Sequence, residues 1–179
     1  MKGQQTTFPI FDQLGLEKKE NRFRRRRVDE TLRKVSELKD ELNVLLYTRS
    51  SERPSITSPE DAYDLLRAFL EPLEQEEFWV VVLDTRNRVM ALVMLYRGSV
   101  NSSQVRVAEV FRKAIIENAP AIVIAHNHPS GDPSPSSDDI TITREIVKAG
   151  KLLDIQILDH LVIGHDRYIS LKRRELGFS

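Results

Sequence analysis

The apolar residues between positions 78 and 96 predict two neighbouring β-strands. Residues 78–83 form an uninterrupted apolar run of strand length, which is typical of a strand buried on both faces. A short polar turn at residues 84–87 separates it from a second apolar run at residues 89–96. Because the connection is so short, we expect these two runs to form an antiparallel hairpin.

Three further stretches carry the apolar spacing of three and four residues that is typical of helices. Ser58 and Pro59 fit the N-cap and first position of one helix. The other two cover residues 107–118 and 140–149, and Gly150 is expected to end the last one. Short apolar runs add strands at residues 121–125, 155–163 and 168–171. The predicted fold is α/β with a mixed β-sheet flanked by helices, because the hairpin excludes a doubly wound parallel sheet.

The first 55 residues follow a different pattern, and we assign them to an N-terminal extension that precedes a main domain at residues 56–179. A dense basic run extends from Arg22 to Arg27. From Val28 onwards, apolar residues recur at steps of three and four, which predicts one amphipathic helix. Its apolar face would cover the main domain or pair with a second copy of the chain as a homodimer.

Composition narrows the class of protein. The chain has 179 residues, of which 40% are hydrophobic and 30% are charged. No apolar run approaches the ~20 residues of a membrane span, so we expect no membrane partner. The first residues lack the basic-then-apolar order of a secretory signal, and we therefore expect a cytoplasmic protein. The absence of cysteine excludes disulfides, thiolate-bound zinc and a cysteine nucleophile.

The net charge of zero conceals an uneven distribution. Residues 1–55 carry 13 Lys and Arg against 9 Asp and Glu, whereas residues 56–179 carry 14 against 18. The acidic balance of the main domain argues against a broad phosphate-binding face there. A contact with DNA or with a protein would therefore use the run from Arg22 to Arg27. The simpler interpretation of that run is the solvated start of a charged helix.

The residues that could carry out chemistry follow the third predicted strand, at residues 121–125. All four histidines fall between residues 126 and 165, and two of them form the pattern His126-x-His128. Side chains alternate along an extended chain, so both imidazoles project in the same direction and can bind one ion. Pro129 and Gly131 then turn the chain away, which would leave room for a substrate.

A third ligand follows at the start of the next helix. Asp139 lies near the helix N-terminus, where the local field favours an ionised carboxylate. Ser136 and Asp139 equally fit a capping box that needs no metal. Asn127, Ser130 and Asp132 equally fit a simple turn. Two imidazoles, one carboxylate and an open position form the pattern of a catalytic zinc site, which we expect here.

The string HNHPSGDPSPSSDDI resembles the signature of JAMM (MPN-plus) zinc metallopeptidases. With the flanking stretches VAEVFRKAIIENAPAIVIA and LLDIQILDHLVIG, it closely resembles the bacterial RadC-like family over roughly residues 57–177. The resemblance implies the JAMM fold, whose architecture is related to that of cytidine deaminases. It also implies a zinc-dependent hydrolase acting on a peptide or isopeptide, and an association with DNA repair. RadC-like proteins usually carry a helix-hairpin-helix region, for which residues 1–55 show no pattern.

The resemblance assigns roles to individual positions. His126, His128 and Asp139 match the zinc ligands, and Ser136 matches the serine that stabilises the oxyanion. The family also needs an upstream glutamate as general base, and the Glu-x-Phe pattern of related sequences selects Glu76. Glu77 remains the alternative, since adjacent residues face opposite sides of a strand, and both glutamates would also fit a solvated helix end.

The sequence does not assign the other two histidines, and it allows one alternative function. His160 is either a partner of the site or a hydrogen-bonded core histidine, and His165 fits a surface turn. A zinc deaminase of the usual type needs cysteines that this chain lacks. The serious alternative is a non-enzymatic module with a structural metal that binds nucleic acid or protein. Salt-dependent DNA binding with and without residues 1–55 would distinguish it from an enzyme.

Overall fold

The computed structural model describes residues 53–98 and 105–178, together with Lys34 and Leu38. The chain divides into two units, Met1–Asn43 and Val44–Ser179, and the architecture that follows belongs to the second. Lys34 and Leu38 are helical and exposed. The rest of the expected N-terminal helix and the arginine run lie outside the described residues, and the domain boundary near residue 55 stays a prediction.

Five strands form one mixed sheet in the order β2-β1-β3-β4-β5. β1 pairs antiparallel with both β2 and β3, β3 and β4 are parallel, and β5 is antiparallel to β4. The hairpin and the mixed sheet predicted from the hydrophobic pattern are therefore confirmed. The strand bounds are β1 Glu77–Leu83, β2 Val89–Arg97, β3 Ala121–Asn127, β4 Gln156–Ile163 and β5 Tyr168–Ser170.

Three helices flank this sheet: α1 Pro59–Leu70, α2 Val107–Ile116 and α3 Ser137–Leu153. α1 begins with the expected capping box, in which the Ser58 side chain accepts the Asp61 N–H. α2 and α3 pack on the sheet face that carries Phe78, and α1 packs on the face that carries Trp79. No helix among the described residues has the length and hydropathy to cross a bilayer.

The predicted end of the last helix at Gly150 is wrong. α3 continues to Leu153, and Asp154 provides the left-handed cap with a φ of 56°. Gly150 is buried inside the helix, where a Cβ atom would lie 2.6 Å from the Ile155 carbonyl oxygen. Glycine is therefore needed at this position for a close backbone approach, and it does not act as a helix stop.

The sheet register brings the start of β1 and the end of β3 to one edge. Phe78 pairs with His126, so the residue that precedes β1 lies beside the end of β3. β3 is also longer than expected, because it continues through His126 and Asn127. Every residue of β1 and β3 is buried, which makes this edge a rigid support for the side chains that follow.

Candidate metal centre

His126 and His128 project together from the end of β3. His126 is completely buried within the strand, and His128 follows directly after it. The His128 N–H donates to the Ile163 carbonyl oxygen at 2.8 Å, which keeps the chain extended beyond the strand. The two Nε2 atoms consequently lie 3.2 Å apart.

α3 brings the third side chain to the same place. Asp139 Oδ1 lies 3.1 Å from His126 Nε2, and Asp139 Oδ2 lies 3.7 Å from His128 Nε2. Bonds of about 2.0–2.1 Å from one tetrahedral zinc ion place two ligand atoms about 3.3–3.4 Å apart. The 3.1 and 3.2 Å contacts of His126 Nε2 are close to this spacing, and two imidazole nitrogens with a carboxylate form a donor set that could hold a metal ion.

Ser136 orients the Asp139 carboxylate. Its backbone N–H and its hydroxyl both donate to Asp139 Oδ2 at 2.7 Å, while its Oγ accepts the Asp139 N–H at 3.1 Å. The capping box thus fixes one carboxylate oxygen and leaves Oδ1 directed towards His126. Helix capping and metal ligation, which the sequence left as alternatives, are compatible in this geometry.

The Asp139 carboxylate and the His128 imidazole stabilise one another's charged forms. Burial opposes ionisation of Asp139, but the neighbouring imidazoles of His126 and His128 and the hydrogen bond from Ser136 outweigh burial and hold the pKa of the carboxyl well below its usual range. The nearby Asp139 carboxylate raises the pKa of His128, and the opposing effect of burial is smaller. An ionised carboxylate between two imidazoles is an arrangement that a divalent cation would stabilise.

Glu76 and Glu77 occupy opposite sides of β1. Ligand atoms of Glu76, His126 and His128 all lie within 4.8 Å of one another. Glu77 instead is buried on the other side, where its Oε2 accepts the Trp79 indole N–H at 2.8 Å and its Oε1 accepts from Arg97 Nε at 2.7 Å. The structure therefore places the Glu76 carboxylate, and not that of Glu77, beside the two histidines.

Asn127 attaches the segment around Glu76 to β3. Asn127 stands between the two histidines in the sequence. Its buried side chain points to the opposite side of the extended chain from theirs. Asn127 Oδ1 accepts the Glu77 N–H at 2.7 Å, and its Nδ2 donates to the Gln75 carbonyl oxygen at 3.1 Å. Both backbone neighbours of Glu76 are thereby fixed. Asn127 is not a turn residue, and no feature of its immediate sequence indicates this contact across about fifty residues.

The loop after β3 also holds His128. The His128 Nδ1 lies 2.9 Å from the Asp132 carbonyl oxygen, which can only accept, so Nδ1 carries the proton and Nε2 can bind a metal. This loop rests on the turn between β4 and β5. A Cβ atom on Gly164 would lie 2.4 Å from the Gly131 carbonyl oxygen. His165 is exposed in that turn, donates its backbone N–H to the same oxygen at 3.2 Å, and is not part of the candidate metal cluster.

His160 lies behind His126, on the Nδ1 side of its ring. It is completely buried, and its Nε2 is 2.9 Å from His126 Nδ1. Burial lowers the pKa of His160 well below its ordinary value, and the neighbouring His126 acts in the same direction. His160 is thus both a core histidine and a direct partner of the site.

Comparisons with known proteins show the family. The model of the RadC-like JAB domain matches residues 56–176. A UPF0758 protein of Roseiflexus castenholzii is 47% identical over 81% of this chain and 64% of its own length. A UPF0758 protein of Chloroflexus aurantiacus is 52% identical over 71% of this chain and 56% of its own length.

A third UPF0758 protein, from Desulfitobacterium hafniense, is 46% identical over 79% of this chain and 63% of its own length. The chain thus spans between about half and two thirds of the curated relatives that it matches, and their names state no activity. The family model covers the fold described above together with His126, His128, Asp139 and Glu76. The chain belongs to the RadC-like JAB domain family.

Proposed function

We propose that this protein is a zinc-dependent hydrolase of the JAMM type that cleaves a peptide or isopeptide bond. The observation that carries the proposal is the convergence of His126, His128 and Asp139, with the Glu76 carboxylate next to both histidines. Zinc bound by these three residues would polarise a carbonyl group and acidify a water molecule. A cysteine-free chain offers no thiolates that would close the site as a structural one.

Glu76 is the proposed general base. Its carboxylate would take a proton from the attacking water and then deliver that proton to the nitrogen of the leaving amine. This role needs a carboxylate close to the proposed metal ligands. Glu76 lies beside His126 and His128, whereas the Glu77 carboxylate is directed to Trp79 and Arg97. Asn127 supports the role by fixing the backbone on both sides of Glu76.

Ser136 is the proposed donor to the oxyanion. In the structure its hydroxyl proton is directed to Asp139 Oδ2, and rotation about the Cβ–Oγ bond would redirect this proton to a substrate oxygen without moving Oγ. After this rotation the Ser136 backbone N–H still holds Asp139 Oδ2 at 2.7 Å. The carboxylate would therefore stay oriented while the hydroxyl serves the substrate.

Zinc content and hydrolysis, measured on the same preparations, test this function. We expect about one zinc per chain and chelator-sensitive cleavage of an isopeptide-linked peptide in a substrate panel. His128→Ala should lose both properties, because it removes a ligand nitrogen. His165→Ala is the matched control, since His165 lies outside the cluster, and it should keep both.

The possible outcomes separate the two functions. Zinc bound at stoichiometric level without hydrolysis of any panel substrate would contradict the enzyme and favour an interaction module with a structural metal. Absence of zinc from protein with intact His126 and His128 would contradict both. DNA binding that weakens steeply with salt and depends on residues 1–55 would support a nucleic-acid contact of the arginine run.

A further inference from the structure

Two buried side chains that are not candidate ligands connect His126 to α3. His160 is fully buried, with its Nε2 2.9 Å from His126 Nδ1. Its other ring nitrogen, Nδ1, lies 2.6 Å from the hydroxyl of Thr143, which is also fully buried. That hydroxyl lies 2.5 Å from the backbone carbonyl oxygen of Asp139. The series therefore joins one proposed ligand residue, His126, to another, Asp139.

The order of donors and acceptors in this series follows from the Asp139 carbonyl. A carbonyl oxygen can only accept, so the single hydroxyl proton of Thr143 is donated to it. Thr143 Oγ1 must then accept from His160, which places a proton on His160 Nδ1. The ring nitrogens of the fully buried His160 contact a hydroxyl and a second imidazole, neither of which is an anion that would compensate a positive charge, so the ring is a neutral imidazole. His160 Nε2 consequently carries no proton and accepts from His126 Nδ1–H.

We propose that Thr143 and His160 are positioning residues that fix the proton of His126 on Nδ1, so that Nε2 is the atom offered to the metal. This inference rests on the proposed zinc site and adds the residues that select its ligand atom. His126 Nε2 is the atom that faces Asp139 Oδ1 at 3.1 Å and His128 Nε2 at 3.2 Å. The nitrogen of a histidine that binds a metal is set by the hydrogen bond of the other nitrogen.

The series also ties the orientation of His126 to the helix that carries Asp139. Thr143 lies one helical turn after Asp139, and its hydroxyl bridges the Asp139 backbone and His160. A rotation of His126 about its side chain would break the contact with His160 inside the core. The His126 side chain and the backbone of Asp139 are therefore linked by two residues that are not proposed ligands.

Nitrogen-15 NMR of the histidine side chains in the full chain tests the order of protons directly. We expect a proton on Nδ1 of His160, none on its Nε2, and a proton on Nδ1 of His126, with and without added zinc. A proton on His160 Nε2, or zinc bound through His126 Nδ1, would overturn the proposal. The zinc-free measurement does not depend on metal binding, so it remains decisive if the proposed function fails.

Substitutions at Thr143 test the consequence for zinc. Thr143→Val keeps the shape but removes the hydroxyl, and we expect zinc affinity, measured by competition with a chelator, to fall about 10–100-fold. Thr143→Ser restores the hydroxyl and should restore most of the affinity. The NMR signature of His160 should change in the valine variant and return in the serine variant, which a purely structural role would not produce.

Thr141→Val is the matched control. Thr141 lies on the same helix and donates its hydroxyl to the Ser137 carbonyl oxygen at 2.8 Å, but it is exposed. We expect its loss to leave zinc affinity and the histidine signals unchanged. Equal effects of the two valine variants, or wild-type zinc affinity in Thr143→Val, would contradict the proposal. If Thr143→Val does not fold, the wild-type NMR spectrum still decides it.

Discussion

Replacing Glu76 by glutamine is expected to lower the rate of zinc-dependent hydrolysis by about 10²–10⁴-fold, the usual contribution of a general acid or base. Glutamine keeps the size of the side chain but cannot take a proton from water. Zinc should remain bound if Glu76 acts as the base, because the three proposed ligands His126, His128 and Asp139 are unchanged in this variant. The measurement is the initial rate on a cleaved substrate, together with zinc content.

Glu74→Gln is the control for this substitution. Glu74 lies two residues upstream and is exposed, so its replacement removes the same charge from the same segment without changing the site. We expect wild-type rates in this variant. Full activity of Glu76→Gln would show that another group is the base, and loss of zinc from it would show that Glu76 acts as a ligand.

Replacing Asn127 by alanine is expected to lower the free energy of unfolding by about 2–4 kcal/mol. The substitution leaves the buried Glu77 N–H without its partner, which costs about 1–3 kcal/mol, and it also removes the part-buried bond to the Gln75 carbonyl and the packing of a buried side chain. Hydrolysis should fall as well, because the backbone on both sides of Glu76 is released. Chemical denaturation measures the first effect, and the initial rate measures the second.

Gln75→Ala provides the comparison, since it removes an exposed side chain but keeps the carbonyl that Asn127 binds. Its unfolding free energy should stay within about 0.5 kcal/mol of the wild-type value, as is usual for surface substitutions. If Asn127→Ala were equally mild, Asn127 would have no structural role at the edge of the sheet. The contacts between Asn127 and the segment around Glu76 would then be dispensable.

The local pattern was sufficient for much of the fold. The uninterrupted apolar run of β1, the polar turn after it and the returning run of β2 predicted the hairpin, because strand burial and turn chemistry are both encoded within a few residues. The capping box at Ser58 likewise predicted the start of α1. Helix and strand ends were less predictable, as Gly150 shows, because its role depends on the approach of Ile155 after the helix.

Some residues of the site can be predicted from local spacing, and others only from the pairing of distant segments. The pair His126 and His128 can be predicted from two-residue alternation, and Asp139 from its position near the N-terminus of the next helix. The choice between Glu76 and Glu77 cannot be made locally, since adjacent residues are equivalent until one face of the strand is known. The register of β1 against β3 makes that choice.

The sequence by itself determined the family, the mixed α/β fold and a histidine pair with a nearby aspartate, because these depend on periodicity and short spacings. Only the tertiary structure decided which glutamate faces the histidines, what Asn127 binds and which nitrogen of His126 faces Asp139. Those three features depend on hydrogen bonds between residues that are far apart in the chain, such as His126 and His160. Such contacts exist only once the sheet and α3 have packed, and residue spacing alone does not specify them.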